Sequence, residues 1–257
     1  MKRSERHHLK ENAFAVAMAR FQDRAESWGT GLAVAGGIAL AVVVLFGVYT
    51  WWSGRAEATA GALLAEALVV ADAPVVPPPA TDAAGGEEDP APAEPPFTQP
   101  PGSYPTIEAK MSASLPRLLE AADAYPSTPS GITARYRAAA ALAALGRHDE
   151  AAEQYQRVID GDEGGVYGRM ATLGLASVQM SRGSYEAAIA LLEPSSVSAP
   201  DAPLPVDGVL MQLGHAYRLA GRSDDARAAF QRIMDEFPTS LYFTNAEREL
   251  QVLQVEG

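Results

Sequence analysis

Cysteine is absent from all 257 residues, which excludes disulfides, thiol catalysis, iron-sulfur clusters and zinc fingers. Only four histidines occur. His7 and His8 stand together near the start, while His148 and His215 are isolated. The adjacent pair has no further ligands nearby, so it reads as a solvated terminus, and no metal is expected. Aromatic residues make up 7% of the chain against 47% hydrophobic residues overall, so the core has to be alanine-rich and helical. Positive charge is scarce. The 20 Lys and Arg face 32 Asp and Glu, a net of −12, and nucleic acid, which demands basic patches, is not an expected partner.

Charge is missing altogether between Ser27 and Gly54. The centre of this run, Gly31 to Tyr49, is almost wholly Ala, Val, Leu, Ile and Gly, and about 20 such residues suffice to cross a bilayer core. Trp28 at one end and Tyr49, Trp51 and Trp52 at the other take the positions that amphipathic rings prefer at the headgroups. Residues 29–52 are therefore expected to form a transmembrane helix. Six basic residues precede it (Lys2, Arg3, Arg6, Lys10, Arg20 and Arg24), whereas after Arg55 the next cation is Lys110. The positive-inside bias places the N-terminus in the cytoplasm and the remainder outside, in the periplasm of a bacterial inner membrane. In the cytoplasmic stretch 1–28, Phe14, Met18, Phe21, Ala25 and Trp28 recur at helical spacing and predict a basic amphipathic segment. A cleaved signal peptide is the competing reading, with Ala58-Thr59-Ala60 as the small-residue site. The long charged start, the length of the apolar run and the intervening tryptophans and arginine favour a retained anchor. No ionisable residue interrupts the span, so no ion path through it is expected.

Beyond the anchor, residues 53–71 are rich in Ala and Leu and predict a juxtamembrane helix. Residues 72–106 change character: Asp72 to Pro105 holds 11 of the 19 prolines, six acidic residues and no basic ones. Such a composition has too little apolar surface to offset ordering entropy. A disordered, extended linker is expected, reaching about 100 Å if fully polyproline-like.

Residues 107–257 carry a repeat. Gly146, Gly183 and Gly221, 37 and 38 residues apart, each begin a turn followed by an alanine-rich helix. In the third unit Leu210, Leu213, Gly214 and Tyr217 form one helical face, and Ala226, Ala229, Phe230, Ile233 and Phe237 another, before Pro238. Ala139, Ala151, Tyr155 and Val158 take the matching places in the first unit. In the second, Leu192 replaces the aromatic and Pro194 shortens the helix. Upstream, Ser114, Leu118, Ala121 and Pro126 fit the second helix of a further unit, whose first helix is Arg55 to Ala71 with the proline-rich stretch inserted between them. Downstream, Thr239 to Gln254, with Phe243, Ala246, Leu250 and Leu253, reads as a closing helix.

These residues resemble the tetratricopeptide repeat. The resemblance implies an all-α chain, a single transmembrane helix followed by a solenoid of helical hairpins, with three to four repeats and a capping helix. The layout of stub, anchor and repeats is similar to the YfgM-like family, ancillary subunits of the Sec translocon. This second resemblance implies translocon subunits, periplasmic chaperones or secretory clients as partners.

Nucleophile-elbow, phosphate-loop, dinucleotide and zinc-protease patterns are all missing, so neither enzymatic activity nor a cofactor is expected. The acidic pairs Asp149-Glu150 and Asp224-Asp225 recur at helix starts, where anions favour the helix dipole, and read as structural. The expected role is binding of proteins or peptides. In a repeat solenoid the first helices line a concave surface. Tyr136, Met170, Leu173, Met180, Met211, His215 and Arg218 are the residues expected to form a peptide-binding groove there. Methionine supplies an adaptable apolar surface, or alternatively fills gaps between alanine-rich helices. A structural scaffold or assembly factor for an envelope or cell-division complex is the other functional expectation.

Overall fold

A computed structural model describes residues 3–79, 97–197 and 204–256, with side chains from residue 34 to residue 255. The described residues are helical, without strands, in the order α1 (Arg3–Ala71), α2 (Ile107–Ala124), α3 (Pro129–Ala144), α4 (His148–Gly161), α5 (Val166–Ser181), α6 (Tyr185–Leu192), α7 (Val206–Leu219), α8 (Ser223–Glu236) and α9 (Phe243–Glu256). The chain divides into two compact units, Met1–Arg55 and Ala56–Gly257.

In the first unit the backbone is helical from Arg3 onward, and residues 34 to 52 are all exposed. None of the described side chains from 34 to 52 is buried, and an 18-residue window of the helix reaches a mean hydropathy of 2.1. By length and composition this helix can cross a bilayer. The amphipathic side-chain pattern expected over 1–28 lies outside the described side chains.

In the second unit the hairpins arise from capped helices and glycine turns. Thr106 and Thr128 accept hydrogen bonds from the amides of Ala109 and Gly131, satisfying free donors at the starts of α2 and α3. Gly146, Gly183 and Gly221 all have φ between 73° and 76°. After each, the next residue's N–H bonds back to a carbonyl five residues earlier: Arg147 to Leu142, Ser184 to Gln179 and Arg222 to Tyr217. Only glycine takes this left-handed position without strain, and the three turns close α3–α4, α5–α6 and α7–α8 in the same way. The second unit's departure is visible too. α6 has eight residues and passes at Pro194 into a short 3-10 turn, Glu193–Ser196.

The core consists of small and aliphatic side chains at helix crossings. Phe230 is fully buried and lies against Gly214, where an added methyl would overlap its ring. Tyr155 lies in the same way over Gly174. Among the described residues one arginine is buried. Arg135 of α3 donates to the Ala122 carbonyl and to Asp123 at 2.8 Å, and to Gln154 at 2.7 Å, tying α2, α3 and α4 together.

The juxtamembrane helix expected over 53–71 packs with the repeats, in the place the sequence offers for the first helix of a further unit. Ala60 and Ala67 of α1 are buried, Leu63 and Leu64 pack on Ala121, Ala122 and Ala134, and Glu57 accepts from the Ser130 amide and hydroxyl. Thus 56–71 is the first helix of a hairpin whose second helix is α2. The residues expected to form a free linker are also held at both ends. Val75 and Tyr104 form an isolated parallel bridge, with Val76 N–H bonding to Tyr104 O at 2.9 Å and Tyr104 N–H to Pro74 O at 3.0 Å. Gln99 adds a bond to Val76 O, and Asp72 pairs with Arg137 at 3.8 Å. Backbone groups at the base of the insertion are satisfied by each other, which composition alone does not reveal. Expected disorder between 80 and 96 falls outside the described residues.

Candidate functional site

The first helices α3, α5 and α7 lie side by side, and a groove of about 390 Å³ opens among them. Its floor is built by Tyr136, Tyr155, Met170, Leu173, Gly174 and Val178. Ala143, His148, Ser177, Ser181 and Gln212 complete it. The volume falls in the range of ligand-sized clefts.

Gly174 makes this groove possible. Without a Cβ it lets the Tyr155 ring, anchored on α4, lie against α5. Tyr136 meets that ring edge-on at 5.9 Å and lies tilted against Tyr167 at 5.6 Å, so three tyrosines from three helices cluster, and Tyr136 and Tyr155 among them line the groove. Burial pushes the Tyr155 phenol up to about 12, with the neighbouring Tyr136 adding to the effect. Burial likewise raises Tyr136, helped by Tyr167 and opposed by Arg137. Both phenols stay neutral hydrogen-bonding groups at any physiological pH.

The seven expected groove residues divide. Tyr136, Met170 and Leu173 line the groove, and Met170 is exposed. Met180 and Leu173 pack partly buried against the C-terminal core cluster. Met211 belongs to that core itself, being 8% exposed. His215 stacks edge-on against Phe230 of its own partner helix at 5.6 Å, and burial lowers its pKa. Arg218 is paired with Glu249 of α9 at 3.4 Å. His215 and Arg218 are thus engaged by α8 and α9.

Eight lining residues were not foreseen: Ala143, His148, Tyr155, Gly174, Ser177, Val178, Ser181 and Gln212. Part of the signal was available, since Met170, Gly174, Ser177 and Ser181 fall three or four residues apart and make one stripe along α5. Tyr155 was hidden because its repeat position marks it as core. The acidic helix starts have a further use. Asp149 pairs with Arg182 at 2.7 Å and Glu186 with Arg222 at 3.3 Å, each linking one turn to the next unit.

Among the described residues no cluster of His, Asp or Glu could hold a metal. The groove offers hydroxyls, an amide, an imidazole and apolar surface, which suit non-covalent binding.

The family of tetratricopeptide repeat-like domains matches residues 106–252, more than half of the chain. The chain belongs to the tetratricopeptide repeat-like family. Several solved structures resemble it, three of them as follows. "MamA RS-1 ArsTM double mutant" is 21% identical, with 57% of this chain and 75% of that one covered and a TM-score of 0.47. MamA 41-end from Desulfovibrio magneticus RS-1 is 20% identical over 57% and 76%, TM-score 0.45. A kinesin light chain with tetratricopeptide-like repeats from Podosopora anserina is 16% identical over 56% and 84%, TM-score 0.44. At such identities the likeness concerns the fold, and family membership rests on the family match. No curated protein matches the chain. Tetratricopeptide repeat-like domains generally mediate protein–protein interactions and are typically non-catalytic. The resemblance to the YfgM-like family is not confirmed by these matches.

Proposed function

We propose that this protein is a membrane-anchored docking platform whose groove along α3, α5 and α7 receives segments of other proteins. The observation that carries the reading is a largely uncharged, partly apolar cleft on a repeat unit, in a chain whose N-terminal helix suits a membrane anchor. The six cations ahead of the span and the scarcity of cations behind it support a cytoplasmic N-terminus and a periplasmic repeat unit. Within that topology the leading role is assistance to secretory proteins at the Sec translocon, holding emerging chains or passing them to chaperones.

Purification of the tagged full chain from native membranes in mild detergent tests this role. Translocon subunits and unfolded secretory proteins among the co-purifying chains are the expected result. A single stable envelope partner with no secretory chains would instead establish a scaffold or assembly factor. Protease added to spheroplasts is expected to cut the repeat unit, and full protection would overturn the topology.

A further inference from the structure

We infer that the groove takes an uncharged, extended stretch of a partner polypeptide, with an aliphatic side chain against Met170 and Leu173 and a hydrogen-bond donor against Gln212. This rests on the docking role proposed above and narrows its ligand. Three observations carry it.

The first is charge. Residues 56–257 contain 13 basic and 28 acidic side chains, yet no Asp, Glu, Lys or Arg lines the groove. A charged residue entering the cleft would lose hydration without gaining a countercharge, which is strongly unfavourable.

The second is a pair of unused polar atoms. Gln212 and His148 both line the groove, and their Oε1 and Nδ1 atoms are shielded from solvent with no hydrogen-bond partner among the described residues. Buried polar atoms are nearly always paired. Gln212 Oε1 accepts only, and His148 Nδ1 accepts in the tautomer protonated at Nε2. When either side chain turns its free atom into the cleft, a donor from an incoming chain, a backbone N–H or a carboxamide, satisfies it.

The third is the gradation along α5. Met170 and Leu173 stand toward its N-terminal end, Ser177 and Ser181 toward its C-terminal end. From Met170 to Ser181 the helix rises about 16 Å at 1.5 Å per residue. An extended chain covers that length in about five residues.

The test uses the full chain in lipid nanodiscs and three pools of end-capped random octapeptides. One pool is neutral, one carries two acidic residues and one carries two basic residues. A photo-crosslinking amino acid in place of Ser177 reports capture at the groove. The neutral pool is expected to be captured at least tenfold better than either charged pool. Gln212→Leu and, independently, His148→Leu are each expected to weaken that capture several-fold while the thermal melt is unchanged. Equal or better capture of charged peptides at Ser177 would overturn the inference and leave the docking role standing. Capture of no pool at Ser177 would overturn both.

Discussion

Gly174 shows what a single residue contributes to the groove. Replacing it with Ala puts a methyl into the Tyr155 ring, and overpacking of this kind costs about 1–3 kcal/mol. Gly174→Ala is expected to lower the melting temperature and to change the near-ultraviolet dichroism of the tyrosine cluster. Unchanged spectra would mean that the ring does not depend on that notch. Tyr155 also makes an alkaline prediction. Its phenol, like that of Tyr217, is raised to about 12, in both cases first by burial and in Tyr217 also by its bond to Glu193. A raised phenol favours folding below the ordinary value near 10, and that contribution is lost as pH rises from about 10 to 12. Denaturant melts should therefore weaken steeply across this window, and Tyr155→Phe should flatten the decline. At this scale the sequence was partly legible. Tyr136, Met170 and Leu173 were readable from helix-face spacing. Met211, His215 and Arg218 lie apart from this cleft, in the C-terminal core or paired with its neighbours, and spacing within one helix says nothing about a later helix covering it.

Among elements, the capping helix α9 supplies the clearest case. Ala246, Leu250 and Leu253 are buried, as their spacing predicts, and Leu253→Ala is expected to cost about 2–4 kcal/mol by leaving a cavity. A native-like melt for that variant would show that α9 does not close the array. The same interface holds His215, whose pKa is lowered by burial and by Arg218, against the opposing pull of Glu249. A lowered imidazole lets the unfolded chain take up the proton first, so stability falls as pH drops below about 6.5. Protection of the α9 amides, corrected for the intrinsic pH dependence of exchange, should accordingly be lower at pH 5 than at pH 8, and His215→Gln should remove the difference. The ion pairs joining successive turns are a contrast. Asp149 and Arg182 are both exposed, so Arg182→Ala should cost less than about 1 kcal/mol. The repeat, its glycine turns and the short α6 could be read from sequence because each follows local chemistry. The bridge between Val75 and Tyr104 could not, since composition treats a proline-rich stretch as uniform and backbone pairing across the insertion leaves no side-chain pattern.

For the whole molecule, the formal charge of −12 conceals a division. A basic start precedes an apolar helix, and 56–257 carries a net of −15. Six of its acidic residues lie between Asp72 and Pro105, an insertion inside the first hairpin whose two ends are held together. That charge bears on orientation and on the insertion, while the groove itself contains none of it. The fold class was legible because helical repeats state their pattern several times over; the ligand was not, because the cleft is assembled from four helices, α3, α4, α5 and α7. Paired site-specific photo-crosslinking in living cells tests the docking account most directly, with the probe at Ser177 in the groove or at Gln156 on the exposed side of α4. Protein adducts from Ser177 and none from Gln156 are the predicted result. Equal labelling from both positions, or adducts from Gln156 alone, would contradict it.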